Sequence, residues 1–135
     1  MTTTWKSFAP QLLSVLRIVA SAIFITSGTG KLFGFPAGPD GAFIAQPWTQ
    51  PWIGGVLEIF GGALVLIGLF TRPVAFVLSG MMAVAFWQFH FAVDNPWPTI
   101  NQGTAAILFC FIFLYLSAAG AGPWSVEAAI AKNRE

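Results

Sequence analysis

Three ionisable side chains stand inside runs of apolar residues: Arg17, Glu58 and His90. Lys31 and Gln102 stand at the ends of such runs. A carboxyl group and an imidazole held in one site can take up and release a proton. An ammonium or an amide beside them can hydrogen-bond a bound molecule. Within a bilayer such groups cost roughly 3 kcal/mol each on insertion scales, so each calls for a partner, an aqueous cavity or a chemical role.

The runs that carry them are residues 12–33, 52–70, 73–91 and 103–121, each about 19–22 residues long. A helix needs ~20 residues to cross a hydrocarbon core of ~30 Å. The spacing therefore predicts an all-α integral membrane four-helix bundle, with residues 1–135 forming a single four-helix transmembrane domain. The composition agrees: 56% hydrophobic, 8% charged, a mean hydropathy of +0.76. So few charges cannot solvate a globular surface, and a net charge of +1 provides no footprint for nucleic acid. Lys6 gives the first run a short basic flank, but its length, Arg17 and the Gly28-Thr29-Gly30-Lys31 end favour a retained helix over a cleaved signal.

Lys6, Arg72, Lys132 and Arg134 fall on one side of this arrangement, which predicts cytoplasmic N- and C-termini and a long first outer loop. That loop, residues 34–51, mixes Gly and Pro with Phe35, Phe43, Ile44 and Trp48. It is expected to lie on the bilayer surface or to fold back over the bundle as a lid. Trp48, Trp52 and Trp97 mark the outer interface, Trp5 and Trp124 the inner one. Pro73 suits a helix start, and Ser125 is the expected N-cap of a short helix in the tail.

At 100° per residue, Ser14, Arg17, Ser21, Phe24, Gly28 and Lys31 share one face of the first helix. Gly54, Glu58, Gly61, Gly62 and Val65 share one face of the second, and Ser79, Ala83, Trp87 and His90 one face of the third. Glycine on a face lets a neighbouring helix approach closely, the usual packing device in lipid. Arg17 sits ~8 Å from one edge of the core and Glu58 ~9 Å from the other, about 13 Å apart in depth. Lys31, His90 and Gln102 are nearer to Glu58. The expected arrangement is a polar cluster of Lys31, Glu58, His90 and Gln102, with Arg17 reaching towards it or snorkelling away. A plainer reading competes at each position. Arg17 and Glu58 would be an ion pair that fixes helix register, and His90 would bond a loop carbonyl. The single histidine and single cysteine, Cys110, leave no ligand set for a metal and no disulfide within the chain.

The order of Arg17, Gly28-Thr29-Gly30-Lys31-Leu32-Phe33, Glu58-Ile59-Phe60-Gly61-Gly62, Gly68-Leu69-Phe70-Thr71-Arg72, His90, Asn101-Gln102-Gly103 and Gly120-Ala121-Gly122-Pro123-Trp124-Ser125 resembles the DoxX family of small four-helix bacterial membrane proteins. Thr104 stands where that family commonly has an acidic residue. The resemblance implies a multi-pass protein of the bacterial inner membrane. It also implies a subunit of a quinone-linked membrane oxidoreductase or of a detoxification complex. Glu58 and His90 would then be the catalytic pair, with Glu58 exchanging protons. Arg17, Lys31, Trp87 and Gln102 would bind the ligand, a quinone, and no covalent or metal cofactor would be present. The lipid bilayer, an oxidoreductase partner subunit and further copies of the chain would be its partners, since no motif for flavin, haem or an iron–sulfur cluster occurs. The rival expectations are a small-molecule carrier and a non-catalytic scaffold for a partner enzyme.

Overall fold

The computed structural model describes residues 2–135, with side chains from residue 4 onward. Its helices are α1 (Thr2–Ser7), α2 (Ala9–Phe33), α3 (Gln50–Ile67), α4 (Thr71–Ala85), α5 (Thr104–Ala119) and α6 (Val126–Asn133). A π-helical turn, Phe86–His90, continues α4. Among the described residues there is no sheet, only two isolated bridges, Gly38 with Gly41 and Ala92 with Asn95.

Among the described residues three helices, not four, are long and apolar enough to cross a membrane: Ala9–Phe33, Gln50–Ile67 and Thr71–His90. The fourth run, expected to span residues 103–121, yields only the 16 residues of α5. Gly103 forms its N-cap, and Gly120 leaves helical geometry at φ 88° and ψ −166°. At 1.5 Å per residue α5 covers about 24 Å, short of a ~30 Å core. The other boundaries shift because of local end signals. Gly34 and Gly68 close α2 and α3 in the left-handed conformation, which costs glycine nothing. Pro10 and Pro51 sit in first turns, where a missing N–H is no loss. α4 begins at Thr71, two residues before Pro73. Ser125 caps α6 as expected, its hydroxyl accepting from Ala128 N at 3.1 Å.

The helices associate as two pairs, α2 along α3 and α4 along α5. α3 meets α4 less extensively, and α2 and α5 barely touch. Phe24, Val65, Ala75, Leu78, Met82, Phe113 and Leu116 form the shared core. Phe24 meets Phe113 edge-on at 4.8 Å between ring centroids. The α2 face is the expected one, with Ser14, Arg17, Ser21, Phe24 and Gly28 all buried. On α4 the buried set is Thr71, Ala75, Leu78, Ser79 and Met82, rotated from the expected Ser79–Ala83–Trp87–His90 line.

Candidate functional site

The site is built where α2 and α3 come closest. A Cβ on Gly28 would lie 2.7 Å from the Gly55 carbonyl oxygen and 3.0 Å from Glu58 Cβ. Only glycine permits that approach, and it puts Lys31, one turn further along α2, against Glu58. Lys31 Nζ donates to Glu58 Oε1 at 2.5 Å. The Glu58 side chain is 2% exposed and that of Lys31 33%. The pair is thus buried on its acidic side and open on its basic side. Glu58 Oε2 has no hydrogen-bond partner of normal geometry, although the Ser27 hydroxyl lies near enough to interact with the carboxylate. A buried, unpaired carboxylate oxygen costs free energy, and it is the kind of group a ligand hydroxyl, a water or a proton would satisfy.

The pair faces a cavity of about 750 Å³, open to the outside and here termed the vestibule. It is walled by α2 from Ile23 to Lys31 and by α5 up to Phe109, two helices that approach each other at few points, among them Phe24 with Phe109. Loop residues 36–41 and Phe43 cover it, so the loop folds back over the bundle as one of the two expected arrangements had it. Ala45, 3% exposed, pins the loop by donating its N–H to Lys31 O at 2.7 Å. Lys31, Glu58, His90 and Gln102 all line this cavity.

His90 arrives there through the π turn, in which Phe91 N bonds Phe86 O at 2.9 Å. Its ring Nδ1 lies 3.3 Å from Asn101 O. A carbonyl only accepts, so Nδ1 is the donor in this bond, and in the neutral ring Nε2 is then the acceptor. This contact is the loop-carbonyl bond of the plainer reading, and it leaves the other nitrogen available. Gln102 sits before α5 with a left-handed φ of 64°, uncommon for a residue other than glycine. Asn101 holds it there, donating to Asn95 O at 3.1 Å and accepting from Gly103 N at 2.9 Å. Asn101 therefore positions both His90 and Gln102, a role its neighbours in sequence do not disclose. Ser27 and Asp40 also line the cavity without having been expected there.

Two expected ligand residues lie elsewhere. Arg17 is 1% exposed and clasps the opposite end of the bundle. Its guanidinium donates to Ala121 O, to Trp124 O at 2.7 Å and to Leu66 O at 3.4 Å. These carbonyls follow α5 and end α3, where unpaired acceptors and the negative ends of helix dipoles favour a cation. No Arg17–Glu58 pair forms. Among the described residues the one salt bridge is Lys31–Glu58. Trp87 is 63% exposed, packs on Phe86 and Phe91, and lines a separate hollow beside Cys110 and Phe111. An α-helix puts residues three apart ~60° short of a full turn from each other. The wider π turn opens that angle further, so Trp87 and His90 part company. Among the described residues no group of three or more His, Cys, Asp or Glu side chains is close enough to hold a metal ion.

The DoxX family pattern matches residues 12–91. An uncharacterized protein of Haemophilus influenzae is 37% identical over 124 residues, covering 90% of this chain and 92% of its own. Two Escherichia coli K12 proteins, inner membrane protein YphA and inner membrane protein YqjF, are each 28% identical. They cover 87% and 88% of this chain, and 89% and 92% of their own. No solved structure matches.

Proposed function

The chain belongs to the DoxX family and is a multi-pass inner-membrane protein, and from that premise we propose that its vestibule binds a quinone as part of a membrane oxidoreductase. The observation that carries this reading is Glu58, buried with its Oε2 lacking a hydrogen-bond partner, among the residues that line a 750 Å³ cavity with Lys31, His90 and Gln102. A volume of that size lies in the usual range for organic ligands. The donors and acceptors suit both redox states of a quinone. Lys31 and the Gln102 amide donate to a carbonyl, whereas Glu58 Oε2 and His90 Nε2 accept from the hydroxyls of a quinol. Reduction of the ring takes two electrons and two protons. In this reading the electrons come from a partner protein and Glu58 passes one of the protons.

Equilibrium titration of a decyl-tailed benzoquinone into the protein in lipid nanodiscs tests the proposal. Ala105 lines the vestibule and is exposed, so Ala105→Phe fills the space without cutting into the core. Saturable binding that weakens at least tenfold in Ala105→Phe is expected. Absence of saturable binding, or equal affinity in the variant, would overturn the assignment.

A further inference from the structure

A second chamber, of about 340 Å³, lies between α3 and the end of α4. It shares Lys31, Glu58 and His90 with the vestibule, and Phe43, Met82 and Ala85 besides, so the ion pair and the imidazole stand where the two chambers adjoin. Its own walls differ in character: Pro51 and Gly54 from α3, Met81 and Val84 from α4, and Phe89 from the π turn. We propose that this chamber is a separate binding site for a compact, uncharged aromatic compound bearing one hydroxyl group. The proposal needs no quinone in the vestibule, and its test is made without one, because both ligands would use Glu58 Oε2.

Size sets the first limit. A protein cavity of roughly 150 Å³ holds one benzene ring, so 340 Å³ accommodates about two fused rings. The lining sets the second, because methionine sulfur and phenylalanine edges favour a flat aromatic over a branched polar molecule. The ion pair sets the third. Lys31 and Glu58 together carry no net charge, so a carboxylate ligand would meet Glu58 and an ammonium ligand would meet Lys31. A neutral hydroxyl can donate to Glu58 Oε2, which lacks a partner, and accept from a free hydrogen of the Lys31 ammonium. Losing that hydroxyl leaves the carboxylate oxygen unsatisfied again, so the site discriminates against a plain hydrocarbon.

Gly54 allows a clean test. A Cβ there meets no atom within 4 Å, and the residue lines this chamber and not the vestibule. Gly54→Leu therefore fills the chamber with a better helix former, and Val84→Phe fills it from the other wall. Binding is read by fluorine NMR titration of 4-fluoro-1-naphthol into the protein in nanodiscs, with 1-fluoronaphthalene as the hydroxyl-free control. Saturable naphthol binding is expected, at least tenfold tighter than the control. Both filling variants should abolish it, while Ala105→Phe should leave it within twofold. Loss in Ala105→Phe but not in Gly54→Leu would place the probe in the vestibule and overturn the proposal. Equal binding of the two probes would mean a hollow that takes any apolar chain, lipid included, and would overturn it as well.

Discussion

At the residue scale, two buried charges that look alike in the sequence have opposite circumstances. Both terminal nitrogens of the Arg17 guanidinium donate to backbone carbonyls, while its buried Nε has no partner, at an end of the bundle away from any cavity that holds the polar cluster. Arg17→Met leaves those carbonyls without donors, and unfolding in detergent should show a loss of roughly 2–4 kcal/mol. Binding of the decyl-tailed benzoquinone to the variant that remains folded should be unchanged. A variant of full stability with impaired binding would return Arg17 to the ligand site. Glu58 also keeps a polar atom with no partner, Oε2, but its side chain lines the vestibule. Glu58→Gln preserves shape but replaces a charged acceptor with a weaker neutral one. Affinity for the quinol form should fall about tenfold and affinity for the quinone form by much less. An equal loss for both forms would show that Glu58 supports the cavity without accepting from the ligand.

At the element scale, the π turn decides which side chains reach the cavity. One residue beyond the α-helical count turns His90 towards Asn101 and leaves Trp87 outside. Deleting Gln88 should restore an α-helical turn and rotate His90 out of the site. Quinone binding should then be lost with helix content by circular dichroism unchanged, and retained binding would show that the turn has no bearing on the site. The same turn marks where sequence reasoning stops. The face of α2 was legible because glycine, serine and charge recur at helical spacing, and that of α3 in large part, as at Glu58, Gly62 and Val65, although Gly55 and not the expected Gly54 packs against α2. The ion pair was legible in part, since depth alone puts Lys31 nearer than Arg17 to Glu58. A π turn has no such period, so the placement of Trp87 did not follow from Phe86-Trp87-Gln88-Phe89-His90. Nor did the length of α5. Its apolar run continues to Ala121, but Gly103 and Gly120 set the helix ends by backbone geometry, and hydropathy does not register that.

At the scale of the whole molecule, two helix pairs are closed at one end by the Arg17 clasp and left parted at the other, where the loop covers the vestibule. Large apolar side chains such as Phe60, Phe76 and Phe111 cover the outside, as a lipid-facing surface requires. Trp48 and Trp97, both strongly exposed, lie in the connections at the vestibule end and should rest at the headgroup level. Variants retaining one of these tryptophans should be quenched more by lipids brominated near the headgroup than by lipids brominated near the chain end. The reverse order would put that end of the bundle deep in the membrane. In the proposed function a quinone lies against Glu58 in the vestibule. Photolabelling with an azidoquinone in inner membranes, followed by peptide mapping, tests it most directly. Labels on residues 23–31, 36–43 or 102–109, suppressed by excess unlabelled quinone and by Ala105→Phe, are the predicted result. Labels confined to other segments, or labels on these segments that excess quinone fails to suppress, would contradict it.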